Sequence, residues 1–314
     1  MRPDNRLAFI GVAQRLSDRL PPRWGRRARD VGKIALDHRG HRRTAFRHVQ
    51  YELARRASPL LAAPFGPGQL LVDSQDDEIG RTVFVSGGYE RWHMEAAVRR
   101  LRATGHDPTG KVFVDVGANI GTSTVDALAQ FGFGRAVCFE PAADNVRLLR
   151  VNLVWNGLDG RAQVYAHAVS DRNGVGSLSR SADNSGDHRF TAEGTGGDAC
   201  RTLDSLVQAG HIDPDAVGLL WIDAQGHEPH VLRGAGALLA AQVPVVIEYC
   251  PWVLGAGLAD LDALIARHFG SIVNLNVAAE GRRDGMALEA SDLPALARRF
   301  AHRGYADLLL LPNT

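Results

Sequence analysis

Five polar residues fall within eight positions of this sequence: Asp223, Gln225, His227, Glu228 and His230. Carboxylates and imidazoles this close together are groups that abstract protons, orient hydroxyls or hold a cation. Unperturbed, histidine titrates near ~6.5 and aspartate near ~3.9, so His227 is better matched than Asp223 to base work at neutral pH. Asp223 has three roles open to it: orienting a substrate hydroxyl, acting as base if desolvated, or ligating a metal. Glu248, at the end of the next apolar run, belongs to the same group. Ordinary readings stand beside these. Glu228 suits the positive end of a helix, His230 suits a surface, and Glu248 suits a pairing with arginine or a backbone amide. As a metal set, Asp223, Glu228 and Glu248 have no accompanying His-x-His or Cys-x-x-Cys, and carboxylates alone suit magnesium or calcium weakly; the sequence assigns no metal.

A second constellation lies upstream. Val112–Gly121 reads Val-Phe-Val-Asp-Val-Gly-Ala-Asn-Ile-Gly: an apolar run broken by Asp115, then Gly117, Asn119 and Gly121. The pattern predicts a buried parallel strand entering a tight turn, followed by a helix over 122–131. The glycines open the backbone to a ligand, and Thr122, Ser123 and Thr124 offer N-cap hydroxyls at a helix start that suits a carboxylate or phosphate. The spacing is G-x-x-x-G, so the dinucleotide pattern G-x-G-x-x-G is absent. Glu140 ends the next apolar run, 25 residues beyond Asp115. An acid at that strand tip is placed to take both hydroxyls of a ribose, which points to a nucleoside-containing cofactor.

The elements needed to position these groups follow from Lys111 onward as alternating strands and helices, the signature of a wound α/β sheet. Strands are expected near 112–116, 136–140, 162–169, 217–223, 243–249, 271–277 and 305–311. Helices are expected near 122–131, 142–155, 202–209, 228–240, 258–269 and 291–302. Ligands of such sheets bind at the carboxyl ends of the strands, so Asp223 and its neighbours are expected to face the same crevice as Gly117. Upstream, Gln69–Val72 and Thr82–Val85 read as short strands, and 92–102 as a helix. One segment, 179–199, is polar and rich in Gly, Ser and Asp; it reads as a long substrate-facing loop that carries Asp187 and His188.

The 314 residues carry a formal charge of only +1, but residues 1–60 hold 15 Lys/Arg against 5 Asp/Glu, a balance of +10 that leaves −9 for the rest. Prolines at 21 and 22 break a loosely helical start from a basic helical stretch over roughly 26–56, whose apolar residues include Phe46, Val49 and Leu53. The boundary between a basic, mainly helical N-terminal extension (1–68) and the main domain (69–314) is placed in the Pro/Gly-rich run that follows. The basic face is either a solvated helix or a contact for an anionic surface. No run reaches the ~18–20 apolar residues of a membrane span, and Leu7–Ala13 is too short for a signal peptide. Three cysteines, read as reduced, favour the cytoplasm.

At Val112–Thr124, Phe139–Pro141 and Asn152–Gly157 the sequence resembles the FkbM-type methyltransferases. The likeness continues through Arg201–Asp204, Trp221–Glu228, Val231–Ala235 and Val246–Glu248. It departs at Trp221, where many members carry lysine. The resemblance implies a class I methyltransferase fold, α/β and Rossmann-like, with a seven-stranded sheet whose last strand is antiparallel. It implies S-adenosylmethionine as cofactor, with Asp115, Gly117, Asn119 and Gly121 cradling the methionine portion and Glu140 holding the ribose. Ala168 and Val169 would border the adenine, and Tyr89 and Glu90 would border the pocket. Asp223, His227 and Glu228 are then the catalytic candidates, for O-methylation of a hydroxyl on a sugar, a glycan or glycolipid, or a natural product. A small-molecule or glycan acceptor and a homo-oligomer are compatible with this reading. A nicotinamide-dependent dehydrogenase lacks its third glycine and a Tyr-x-x-x-Lys pair here. The remaining rival is a non-catalytic cofactor-binding module with a basic polyanion-binding arm.

Overall fold

Every residue of Val217–Ile222 is buried, which requires cover on both faces of that strand. The computed structural model, which describes residues 41–181, 184–192, 196–276 and 285–313, shows how this cover is built. In chain order the first strands are β1 (Leu60–Phe65), β2 (Gly68–Asp73), β3 (Val112–Val116), β4 (Arg135–Phe139), β5 (Ala162–Tyr165), β6 (Ala168–Val169) and β7 (Gly174–Ser179). Then come β8 (Arg189–Thr191), β9 (Asp198–Arg201), β10 (Val217–Ile222), β11 (Val245–Tyr249), β12 (Phe269–Asn274), β13 (Met286–Leu288) and β14 (Ala306–Pro312). The helices used below are α1 (His41–Ala57), α2 (Ile79–Ser86), α3 (Arg91–Ala103), α4 (Thr122–Ala129), α5 (Ala143–Trp155), α6 (Leu203–Gln208) and α7 (Glu228–Arg233).

The main sheet has the order β13-β12-β14-β11-β10-β3-β4-β5. From β11 to β5 the strands are parallel, while β14 runs antiparallel to both β11 and β12. With β13 set aside as a three-residue hairpin partner of β12, the seven expected strands are present and the last is antiparallel. This is the sheet that the resemblance implies. Successive residues of each strand feed opposite layers, as a period of two demands. Phe113, Leu219, Val246 and Leu309 join the core that includes α3–α5, whereas Val114, Leu220, Val245 and Leu308 join the core that includes α7.

Several expectations are corrected. Thr82–Val85 is not a strand but lies in helix α2. The Asp76 carboxylate accepts from the Glu78 and Ile79 amides at 2.8 and 2.9 Å, Ile79 and Val83 are buried one turn apart, and Gly87 closes the helix in the left-handed region. Caps and burial outvote β-branched propensity. The 162–169 strand breaks in two, β5 staying in the main sheet while β6 joins a second, four-stranded sheet of order β6-β9-β7-β8. That small sheet takes in described parts of 179–199, so those parts form a ribbon rather than a plain loop. The expected helix 228–240 stops at Arg233 and resumes at Gly236. A Cβ on Gly234 would lie 2.1 Å from the Ser170 carbonyl oxygen, so the break allows two backbones to touch.

Residues 1–40, with most of the arginine-rich arm and the expected proline break, lie outside the described residues, as do 182–183 and 193–195 of the 179–199 segment. In α1 it is Tyr51 that is buried; Phe46, Val49 and Leu53 are exposed among the described residues. The Tyr51 hydroxyl donates to the Ser74 and Asp76 carbonyls, both at 2.9 Å. The expected boundary at 68/69 falls inside the β1–β2 hairpin. Among the described residues no helix is long and apolar enough to cross a membrane.

Candidate functional site

A cavity of about 270 Å³ opens where the carboxyl ends of β3, β4, β10 and β11 meet the start of β14. Its centre is set by a backbone contact. Gly117 has φ 87°, and a Cβ there would sit 1.9 Å from the Asp223 carbonyl oxygen, so only glycine lets the loops after β3 and β10 touch. The Asp223 amide donates to the Val116 carbonyl at 2.9 Å, and the Gly117 and Ala118 amides both donate to the Phe139 carbonyl at 3.0 Å. Three strand tips are therefore laced together before any side chain is counted.

On the β4 side, Glu140 lines the cavity and is 4% exposed. Its carboxylate accepts from the Asn119 amide (2.9 Å), the Ala142 amide (2.8 Å) and the Asn145 side chain (3.5 Å). Burial pushes its pKa up to about 7 against the lowering effect of these donors. Gly117, Asn119, Ala168, Val169, Tyr89 and Glu90 also line the cavity. Asp115 and Gly121, also expected in the cradle, are not among the described lining residues. Asp115 stands behind the turn, accepts from the Thr124 hydroxyl at 2.5 Å, and is raised by burial to about 7. Gly121 is the N-cap of α4, and no side chain caps that helix, so the expected N-cap hydroxyls are not used as such. Thr122 and Ser123 face the cavity instead.

On the β10–β11 side, Gln225 holds two carboxylates together. Its side-chain amide donates to Asp223 at 2.6 Å and to Glu248 at 3.0 Å. Burial raises the pKa of Asp223, and burial together with Asp223 raises that of Glu248. His227 lines the cavity, but burial and then His230 lower its pKa to about 4. Its Nε2 is 2.9 Å from the Ser170 hydroxyl, and its ring stacks on His230 at 4.2 Å. Glu228 is drawn out of the cavity: its Oε1 accepts from the Ala224 and Gly226 amides, both at 3.0 Å. That oxygen braces the turn before α7, while Oε2 is buried without a hydrogen bond.

Sequence reading missed Glu78, Tyr305 and Asp307, which complete the wall. Tyr305 and Asp307 lie in and beside β14, about 80 residues beyond Asp223, and nothing local marks them. The ribbon closes the remaining side. Ser185 donates through both its amide and its hydroxyl to Asp76, and its hydroxyl also reaches Asn119 at 3.3 Å. Phe190 packs edge-on against His227 at 5.3 Å. His188 lines the cavity, whereas Asp187 turns to Arg189. Six carboxylates thus line this space (Glu78, Glu90, Glu140, Asp223, Glu248 and Asp307), with no lysine or arginine among the described lining residues.

Residues 115–270 match the sequence profile of the methyltransferase FkbM domain. No curated protein matches the sequence. Among solved structures, the chain is similar to an O-methyltransferase from Bacillus cereus in complex with SAH: 13% identity, 74% of this chain and 95% of that one, TM-score 0.37. A precorrin 8W decarboxylase from Methanobacterium thermoautotrophicum shows 15% identity over 68% and 89% of the two chains, TM-score 0.38. A precorrin-6y C5,15-methyltransferase from Geobacter metallireducens shows 10% identity over 69% and 86%, TM-score 0.35.

Proposed function

Through residues 115–270 the chain belongs to the FkbM methyltransferase family, and on that premise we propose that it methylates a hydroxyl from S-adenosylmethionine. The observation that carries this reading is the acid-lined cavity beside the Gly117 turn. S-adenosylmethionine is a sulfonium with an ammonium group, and a wall of carboxylates without lysine or arginine complements both cations. Glu140, at the β4 tip, is the ribose partner, and Ala168 and Val169 border the base.

When bound, S-adenosylmethionine would supply an electrophilic methyl group to the acceptor oxygen and leave as the neutral thioether. Asp223 would orient the acceptor hydroxyl and take its proton. Two features support Asp223 over His227 as proton acceptor. Its carboxyl is shifted upward by burial, whereas His227, lowered to about 4, is neutral and only weakly basic at pH 7. His227 then shapes the wall together with Phe190. The acceptor class we propose is a sugar, glycan or natural-product hydroxyl, since hydrogen-bonding groups dominate this end of the cavity. Free and buried, Cys138, Cys200 and Cys250 support a reducing, cytoplasmic setting.

Calorimetry with S-adenosylmethionine, S-adenosylhomocysteine and NAD tests the reading. Saturable binding of the first two and none of NAD is expected, with the sulfonium bound more tightly than its neutral product. NAD binding in their place would overturn it.

A further inference from the structure

Glu90 and His93 are the N-cap and third residue of α3, an i, i+3 pair that shares one helix face. Asp307 lies directly opposite Glu248 in the β11–β14 register, so both side chains are on the same side of the sheet. The fold brings Glu90, His93 and Asp307 together so that one potential ligand atom from each lies within 4.8 Å of the others. His93 is 2% exposed and Asp307 5%. His93 Nδ1 and Asp307 Oδ2 face each other at 3.0 Å as an ion pair, and no third group among the described residues hydrogen-bonds to either atom. At this depth of burial any bonding capacity that the pair leaves over is costly, and a native structure normally gives it a partner.

A cation between them supplies it. Two neighbouring ligands at ~2.1 Å are separated by about 3.0 Å on an octahedral metal, the observed spacing, and by about 3.4 Å on tetrahedral zinc. The outer groups also fit: the Tyr305 hydroxyl donates to Glu90 Oε1 at 2.6 Å, the kind of contact that fixes a ligating carboxylate. Asp223 and Glu248 add negative charge on the same wall, without lysine or arginine among the described lining residues to offset it.

We infer that Glu90, His93 and Asp307 form a binding site for a divalent first-row transition metal, one imidazole and two carboxylates, with Glu90 and Asp307 lining the cavity and His93 buried behind them. Imidazole with carboxylate suits zinc, iron or manganese better than magnesium or calcium. The site differs from the carboxylate set Asp223, Glu228 and Glu248 that the sequence put forward, because Glu228 is committed to the turn before α7. It does not depend on which hydroxyl is methylated, or on methyl transfer at all.

The test uses the full chain, stripped with chelator and titrated with Zn²⁺ by calorimetry and with Mn²⁺ by electron paramagnetic resonance. About one equivalent of metal is expected to bind. Glu90→Gln and Asp307→Asn, which keep side-chain size, are each expected to weaken it at least tenfold, and His93→Gln at least as much. Circular dichroism and S-adenosylhomocysteine binding report on folding and on the cofactor site separately. The inference is overturned if the folded wild type takes up neither ion. It is equally overturned if Glu90→Gln and Asp307→Asn bind metal as the wild type does, or if only Glu248→Gln abolishes binding.

Discussion

At the β4 tip the Glu140 carboxylate accepts from two backbone amides and a side-chain amide, two of them within five residues and the third, Asn119, on the loop after β3. At the β11 and β14 tips, Glu248 is bonded through Gln225, which it shares with Asp223, while Asp307 Oδ2 has no hydrogen bond. The first end has its donors in place without a ligand: two are backbone amides of the loops after β3 and β4, and the third is the Asn145 side chain. The second end gathers Asp223, Glu248, Glu90 and Asp307 with few donors between them, so a cation, a hydroxyl or a proton has to complete it. On the proposed function, the first end is where binding is built and the second where reactivity is.

The largest effect expected from this contrast is at Asp223. Asp223→Asn keeps the shape and removes the charge, so turnover should fall by ~10²–10⁴ while S-adenosylhomocysteine binds within a few-fold of wild type. The rising limb of the pH–rate profile should also be lost in this variant and should survive His227→Gln. Full turnover in Asp223→Asn would put the proton acceptor elsewhere, with His188 on the ribbon the next candidate.

At the first end, Glu140→Ala removes charge-assisted contacts to the ribose and releases the Asn119 amide. A loss of about 1.5–3 kcal/mol in cofactor affinity is expected, roughly 10- to 150-fold, with turnover of the saturated enzyme little changed. An unchanged dissociation constant for S-adenosylhomocysteine would break the comparison, since Glu140 would then be purely structural.

A smaller effect tests where the folding unit begins. We propose that it includes α1 and both strands of the hairpin, because Tyr51 is completely buried in the same core as Phe65 and Leu70. Tyr51→Phe removes one donor from two carbonyls, so thermal or urea unfolding should report a loss of about 1–2 kcal/mol. Removing residues 1–68 should lower stability far more, by cutting the hairpin. If that truncation melts like the full chain, the original boundary stands.

What was legible in the sequence divides along the same line. The β3, β4 and β10 tips follow from local patterns: an apolar run, a glycine or acid at its end, a helix after it. Because those groups lie near their strands in sequence, Gly117, Asn119, Glu140 and Asp223 were found. Asp307 and Tyr305 were not, because their place depends on β14 inserting between β11 and β12, a pairing that no local spacing encodes. His93 was passed over as one residue of an ordinary helix. Glu228 is a different case. Its position before a helix suits both a site acid and a turn brace, and the two amides that its Oε1 accepts from show the brace. The ribbon after β6 hid its strands because they are short and polar, with few of the apolar alternations that mark a sheet.

The smallest effect concerns pH. Asp115, Glu140 and Glu228 are each hydrogen-bonded, yet burial, the largest influence, lifts all three to about 7. Unfolded, they titrate near ~3.9–4.3, so between about pH 4 and 7 the folded chain holds more protons than the unfolded one. Stability therefore falls as pH rises through that window. His227 works the other way. At about 4 when folded and ~6.5 when unfolded, it adds stability as pH rises to 6.5 and nothing beyond. Below pH 6.5 the two trends oppose each other; above it only the carboxylates still titrate. The melting temperature of the cofactor-free, metal-free chain should therefore drop by a few degrees between pH 6.5 and 8, and less steeply in Glu140→Gln. A melting temperature that climbs across that interval would mean that these carboxylates ionise without strain, and that the two ends of the cavity do not differ as described.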